Sequence, residues 1–359
     1  MICCAECFSD MEVKVSIESL NHKGECPVCG AKNTWIYDSE LDGENTDFKE
    51  LLASVIGIYK PEEKLDDTFP DDAKRSIEEH LQEDWNIFKV GKEGIRKIAE
   101  GVIQSSADLD EKLMMQRTGI PDLYDEMYLQ RNSILGKYQW SDFRKYLRNE
   151  TRFHAKYINL DLLSEVLRDT ISVIPKGTSL YRARLAKDEY GYETGEMGAP
   201  PDDLASAGRA NSKGVSCLYL ANKKETTVKE IRAGAFDYVT IALFQLDKDV
   251  NVVDLSSITH NSPFYADTDK IKFLINERHL RNIERDLAKP LSQRDSDLDY
   301  LPTQYISDFA KYLGYDGVKY ISTFDRNSYN LALFDTKICS CTHRKNYRID
   351  NLNYKLNPV

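Results

Sequence analysis

Five of the eight cysteines lie within the first 29 residues, at Cys3, Cys4, Cys7, Cys26 and Cys29. Cys4 and Cys7 form one C-x2-C pair and Cys26 and Cys29 a second, with eighteen residues between the pairs. Thiolates spaced in this way can give four ligands to one Zn²⁺, and a full tetrahedral shell leaves no position for water, so the site would be structural. Cys3 or His22 could stand in for a ligand, and a disulfide is the competing use, which a reducing compartment disfavours. A segment this small has little core of its own, so the metal would supply folding energy. Residues 11–17, Met-Glu-Val-Lys-Val-Ser-Ile, alternate apolar and polar as a half-buried strand does. Gly24 and Gly30 fall where tight turns would present sulfur.

The rest of the chain must carry whatever other chemistry there is. It has 359 residues, 41% hydrophobic and 30% charged, which fits two or three domains. The longest mostly apolar runs, residues 51–59 and 238–244, are too short to cross a bilayer, and the N-terminus has neither the basic region nor the apolar core of a secretion signal. A cytoplasmic protein is therefore expected. Its 59 Asp and Glu against 48 Lys and Arg, a net charge of −11, disfavour nucleic acid as a partner. Residues 71–172 read mostly as helices, with Ile77, Leu81, Trp85 and Phe88, then Ile95, Ile98 and Val102, then Leu162, Leu163, Val166 and Leu167 at helical spacings. Gly101, Gly119 and Gly136 are expected to break the run.

After residue 177 the texture changes to short strands. Leu180-Tyr181-Arg182-Ala183-Arg184 reads as a strand with both arginines on one face. A low-order acidic stretch, residues 188–203, precedes Gly208-Arg209-Ala210-Asn211-Ser212-Lys213-Gly214 and the strand Leu218-Tyr219-Leu220-Ala221. Asn222 and Glu225 suggest a capped helix ending at Gly234, with Val228 and Ile231 inward and Glu230 among solvent-facing neighbours. Further strands at residues 237–245 and 250–255 and helices at 270–286 and 303–313 lead to Tyr320-Ile321-Ser322 and Asn330-Leu331-Ala332-Leu333-Phe334, a hairpin. Cys339-x-Cys341-x-His343 lacks a fourth ligand and reads as a solvated tail.

These motifs, in this order over about residues 173–340, resemble the RES domain, named for its Arg, Glu and Ser. The cysteine-rich start and the helices are similar to RES proteins with a HEPN/RES-type N-terminal region. The chain is thus read as α+β, with a zinc ribbon at residues 1–36, a helical domain at 37–172 and a RES domain at 173–359, for which the resemblance implies a mixed α/β fold like the ADP-ribosyltransferases. It also implies NAD⁺ as substrate, inorganic phosphate as a co-substrate in some members, and membership of toxin–antitoxin pairs. The family's Arg, Glu and Ser then fall on Arg182, Glu230 and Ser322, its tyrosine on Tyr219 and its turn residues on Arg209 and Asn211, with Arg184 beside Arg182. Ala207 and Ala210 depart from the family's usual Gly and Trp.

Elementary chemistry agrees with these roles. Nicotinamide leaves NAD⁺ from a cationic precursor, so the barrier is the positive charge growing on the ribose, which a fixed carboxylate such as Glu230 would stabilise. Arginine forks at Arg182 and Arg209 match diphosphate oxygens, a tyrosine face at Tyr219 can stack on nicotinamide, and Ser322 can donate to substrate. The chain has neither a P-loop nor Gly-x-Gly-x-x-Gly. The expected activity is thus an NAD⁺ glycohydrolase or phosphorylase, in a toxin or defence effector with an antitoxin or regulatory partner. Two alternatives stay open. One is an ADP-ribosyltransferase acting on a macromolecule. The other is a HEPN ribonuclease, from the loose R-x4-6-H matches at Arg75 to His80 and Arg148 to His154, which a solvated charged face also explains. A homo-oligomer stays open beside the antitoxin as a partner.

Overall fold

The computed structural model describes residues 1–43, 46–153, 155–256, 262–265, 268–289 and 297–352. The chain divides into two compact units, residues 1–137 with 259–278, and residues 138–258 with 279–359. It is mixed α/β, with an N-terminal cysteine cluster and a sheet-rich C-terminal part. Among the described residues no helix is long and apolar enough to cross a membrane.

In the first unit, β1 (Ile2–Cys4), β2 (Lys23–Gly24) and β3 (Thr34–Asp38) form an antiparallel sheet in the order β1-β3-β2. Residues 11–17 are not the expected strand but helix α1 (Met11–Glu18). The Asp10 carboxylate accepts from the Val13 amide at 3.1 Å and caps its first turn. Val13 and Ile17, four apart, are fully buried while Val15 is 52% exposed, which is helical burial. The helices α2 (Ser39–Asp42), α3 (Asp47–Ile56), α4 (Ile77–Asp84), α5 (Lys92–Gln104) and α6 (Glu126–Asn132) follow, with a two-stranded pair of β4 (Lys60–Pro61) and β5 (Thr118–Gly119). Ile95, Ile98, Ala99, Val102 and Ile103 form the buried stripe of α5, and each large aliphatic side chain there contributes about 1.5–3 kcal/mol by leaving water. Gly101 does not break that helix. A β-carbon at Gly101 would stand 2.4 Å from the Met1 sulfur, so the glycine permits close packing instead.

In the second unit, α7 (Trp140–Asn149) and α8 (Leu160–Arg168) precede an eight-stranded sheet. Its strands are β6 (Ile171–Ile174), β7 (Ser179–Ala186), β8 (Leu218–Ala221), β9 (Tyr238–Leu246), β10 (Val250–Asp254), β11 (Gly317–Ser322), β12 (Asp325–Leu333) and β13 (Cys339–Arg348). Their order is β13-β9-β7-β8-β12-β11-β10-β6, parallel between β10 and β11 and antiparallel elsewhere. Three helices complete the chain: α9 (Lys224–Glu230), α10 (Lys270–Ala288) and α11 (Leu301–Tyr312). Leu180, Leu218, Leu220, Phe244, Leu331 and Leu333 share one core cluster, and Ala183, Val239 and Ile241 share another.

Two expectations about this unit need correction. Residues 339–348 are no solvated tail: β13 pairs along β9, and its Arg344, Lys345 and Arg348 are the charges that commonly guard an edge strand. The acidic stretch 188–203 is ordered, since it fully buries Met197 and pairs Glu193 with Arg344.

Candidate functional site

The cysteine cluster satisfies a simple geometric test. The sulfurs of Cys4, Cys7, Cys26 and Cys29 all lie within 4.8 Å of one another. Cys4 to Cys7 is 3.7 Å, Cys4 to Cys29 is 3.4 Å and Cys7 to Cys26 is 3.6 Å. Four bonds of about 2.3 Å around a tetrahedral Zn²⁺ would set sulfur–sulfur edges near ~3.8 Å, whereas a disulfide needs ~2.05 Å. The second pair sits on a knuckle where the Gly30 amide donates to the Cys26 carbonyl at 2.8 Å, with Gly30 at φ 77°, a left-handed turn that suits glycine. Gly24 has a different task from the one expected. It lies in β2, where a β-carbon would press on Ile36. The substitute ligands fall away: Cys3 is buried outside the quartet, and His22 pairs with Asp42 at 2.9 Å.

The second site is a cleft of about 430 Å³ lined by Arg182, Arg209, Tyr219, Glu230, Arg232 and Asn330, among others. Glu230 is the last residue of α9 and is half-buried, not solvent-facing as its helical neighbours suggested. Thr226 and Thr227 are the buried residues of that helix. Ser322 Oγ donates to Glu230 Oε1 at 3.0 Å, and Asn330 Nδ2 donates to the same oxygen at 2.7 Å. Ser322 and Asn330 are themselves buried, at the end of β11 and within β12, so two neighbouring strands clamp one carboxylate oxygen. Among the described residues the other oxygen, Oε2, has no partner.

Arg182 comes from β7, a central strand, and donates from Nη1 to the Tyr219 carbonyl at 3.1 Å. Its Nε is buried without a partner, and burial, with Arg184 beside it, lowers its pKa to about 10. It is still a cation at neutral pH, and so an anion entering the cleft would be stabilised. Arg209 donates to the Leu287 carbonyl at 2.6 Å.

The turn that carries Arg209 is closely tied. Asn211 Nδ2 donates to the carbonyls of Ser206, Ser212 and Val215, and Tyr219 donates its hydroxyl to Asn211 Oδ1 at 2.7 Å. Gly208 must be glycine here, because a β-carbon would stand 2.5 Å from both the Tyr219 hydroxyl and Asn211 Oδ1. Asn211 therefore builds the turn rather than lining the cleft. Arg184 also lies outside the lining: it donates to the Glu196 carbonyl and stacks over Tyr192 at 4.3 Å. Of the seven residues predicted here, Arg182, Arg209, Tyr219 and Glu230 line the cleft, and Ser322 touches it through Glu230.

Residues 179–357 match the RES domain family model. The C-terminal half of this chain is a RES domain. No curated protein matches the chain. Among solved structures, the M. tuberculosis MbcT–MbcA toxin–antitoxin complex shares 14% identity over 53% of this chain and 94% of the matched chain, with a TM-score of 0.35.

Three residues of the cleft and its supports are not singled out by motif or spacing. Asn330 stands in a strand motif, where its sequence gives no sign of the bond to Glu230. Gln304, buried on α11, donates at 2.8 Å to the carbonyls of both Gly208 and Asn211 and so fixes the Arg209 turn. Arg232 ends α9 in place of the expected Gly234. Its amide donates to the Lys229 carbonyl at 3.0 Å, the Ala233 amide donates to the Val228 carbonyl at 3.4 Å, and Arg232 has φ 54°. This is a Schellman ending with arginine in the left-handed place usually taken by glycine, at a cost of about 1 kcal/mol. Asn222, the expected cap, instead accepts from Ser328 and the Tyr329 amide and ties β8 to β12.

The R-x4-6-H pairs assemble no second site among the described residues. Arg75 is paired with Glu83, while His80 is buried between Asp84 (3.0 Å) and the Thr118 carbonyl (2.9 Å). His154 lies outside the described residues.

Proposed function

We propose that the cleft binds NAD⁺ and that the RES domain breaks its nicotinamide–ribose bond. The observation that carries this reading is the Glu230 carboxylate, with one oxygen clamped by Ser322 and Asn330 and the other without a partner in a cleft that also holds arginines. A carboxylate fixed in this way needs no reorganisation when cationic charge develops beside it. Nicotinamide leaves with the electrons of the C1′–N bond, and the ribose becomes cationic. Glu230 stabilises that charge and can hold a ribose hydroxyl through Oε2. Arg182 and Arg209 hold the diphosphate, and the Tyr219 ring receives the nicotinamide face. The acceptor oxygen, from water or inorganic phosphate, then bonds to C1′, and its proton passes to solvent. Ser322 acts through Glu230 rather than directly on substrate. Zn²⁺ in the cysteine quartet serves only the fold.

An activity that drains NAD⁺ requires restraint in its own cell, which fits a toxin held by a neutralising partner. The test is to incubate the full chain with NAD⁺, with and without phosphate, and to resolve nicotinamide, ADP-ribose and phosphorylated ADP-ribose. Release of nicotinamide is expected, and the product identifies the acceptor. NAD⁺ that survives high protein concentration overturns the reading, and label fixed on a macromolecule moves it to ADP-ribosyl transfer.

Asn330→Ala gives a separate check on the clamp. Loss of one of the two donors should lower kcat by about tenfold while KM stays within about twofold, because the interaction positions Glu230 and does not bind substrate. Equal losses in both constants, or none, would contradict this role.

A further inference from the structure

We infer that Arg232 is a third phosphate-binding arginine of the cleft, recognising a phosphoryl oxyanion; this rests on the reading that NAD⁺ occupies the cleft. Arg182 and Arg209 each spend one guanidinium nitrogen on a backbone carbonyl. Arg232 lines the same cleft, is exposed, and has no side-chain partner among the described residues. It stands two residues beyond Glu230, and both line the cleft, so the α9 ending brings a cation as well as a carboxylate to it.

The backbone makes a merely incidental arginine a poor explanation. Position 232 is the left-handed residue of the α9 ending, where glycine is favoured and any side chain is strained. The turn is held from both sides. Ala233 is buried beside Ala183, Val239 and Ile241, and the Gly234 amide donates to Asp237 Oδ2 at 2.6 Å. The Phe236 amide then donates to the Ile349 carbonyl at 2.7 Å. The surrounding structure thus enforces the left-handed conformation whichever residue occupies it, and the arginine side chain contributes nothing to that enforcement. Strained residues of this kind, kept where a ligand would bind, point to a role in binding.

Phosphoryl oxygens could come from the diphosphate of the dinucleotide or from free inorganic phosphate. The test compares wild type, Arg232→Gly and Arg232→Lys in the full chain, using ADP binding by calorimetry, thermal stability, and NAD⁺ turnover over a range of phosphate concentrations. Arg232→Gly should unfold at the same or a higher temperature, because the strain is relieved. It should also bind phosphoryl groups about tenfold more weakly, the scale of one charge-assisted hydrogen bond. Arg232→Lys should recover part of the affinity. A weaker ADP affinity and a higher KM for NAD⁺ assign the diphosphate; a higher KM for inorganic phosphate alone assigns the acceptor. Arg232→Gly with ADP affinity and phosphate dependence both like wild type overturns the inference. If wild type releases no nicotinamide, the NAD⁺ reading falls, and ADP affinity alone decides the role of Arg232.

Discussion

Replacing Glu230 by glutamine should lower NAD⁺ turnover by about 10²–10⁴-fold, or ~3–5 kcal/mol of transition-state stabilisation. The substitution is close to isosteric, and the reason for so large an effect is the asymmetry of the clamp. Ser322 and Asn330 both donate to Oε1, so the glutamine carbonyl would take that place and keep both bonds. Its amide nitrogen would then occupy the position of Oε2. A group that accepts and carries negative charge becomes one that donates and carries none, opposite a ribose gaining positive charge. Thermal stability should change little, since both clamping bonds survive. Turnover like wild type, measured by nicotinamide release, would remove Glu230 from the reaction and with it the main support for the proposed activity.

The second large effect belongs to the cysteine quartet. Cys26→Ser should take the chain from about one bound zinc to none and loosen the first unit, because structural zinc supplies ~10–16 kcal/mol of apparent binding energy in small domains. The reach of the effect follows from packing. Cys3, Cys4, Cys7 and Cys26 lie in one cluster with Phe8, Val13, Ile17, Tyr37 and Phe48, so losing the metal unpins the core on which α1 and α3 rest. Metal content by mass spectrometry, together with proteolysis of the N-terminal residues, measures both parts. A metal-free chain that resists protease as wild type does would reject a structural zinc.

Spacing alone made the quartet legible, since two C-x2-C pairs leave little freedom in how four sulfurs can meet. The order of weak motifs made the RES portion legible, and Arg182, Arg209, Tyr219 and Glu230 do share a cleft. The misses have physical causes. Val13, Val15 and Ile17 satisfy a period of two as well as an i, i+4 pair, and only the Asp10 cap decides between strand and helix. Arg232 could not be recognised while Gly234 looked like the helix stop, because a left-handed residue is visible in a sequence only when it is glycine. The strand β13 looked like a tail because a guarded edge is polar by design. Asn211 enters through the family's turn motif and Arg184 through its place beside Arg182, yet Asn211 ties its own turn together and Arg184 donates to the Glu196 carbonyl.

The strand order has a further consequence during synthesis. Strand β12 inserts between β8 and β11, and Asn330 and Ser322 reach Glu230 from roughly a hundred residues further along the chain. A nascent chain that has already emerged through Arg182, Arg209 and Glu230 therefore has no clamped carboxylate, and Arg209 has no Leu287 carbonyl to hold it. Chains grow from the N-terminus far more slowly than local structure forms. The first unit has most of its residues in hand early, while the cleft closes only after β12 leaves the ribosome. If the cleft consumes NAD⁺ as proposed, truncated translation products lack the activity, and a neutralising partner has until the end of each round of translation to arrive.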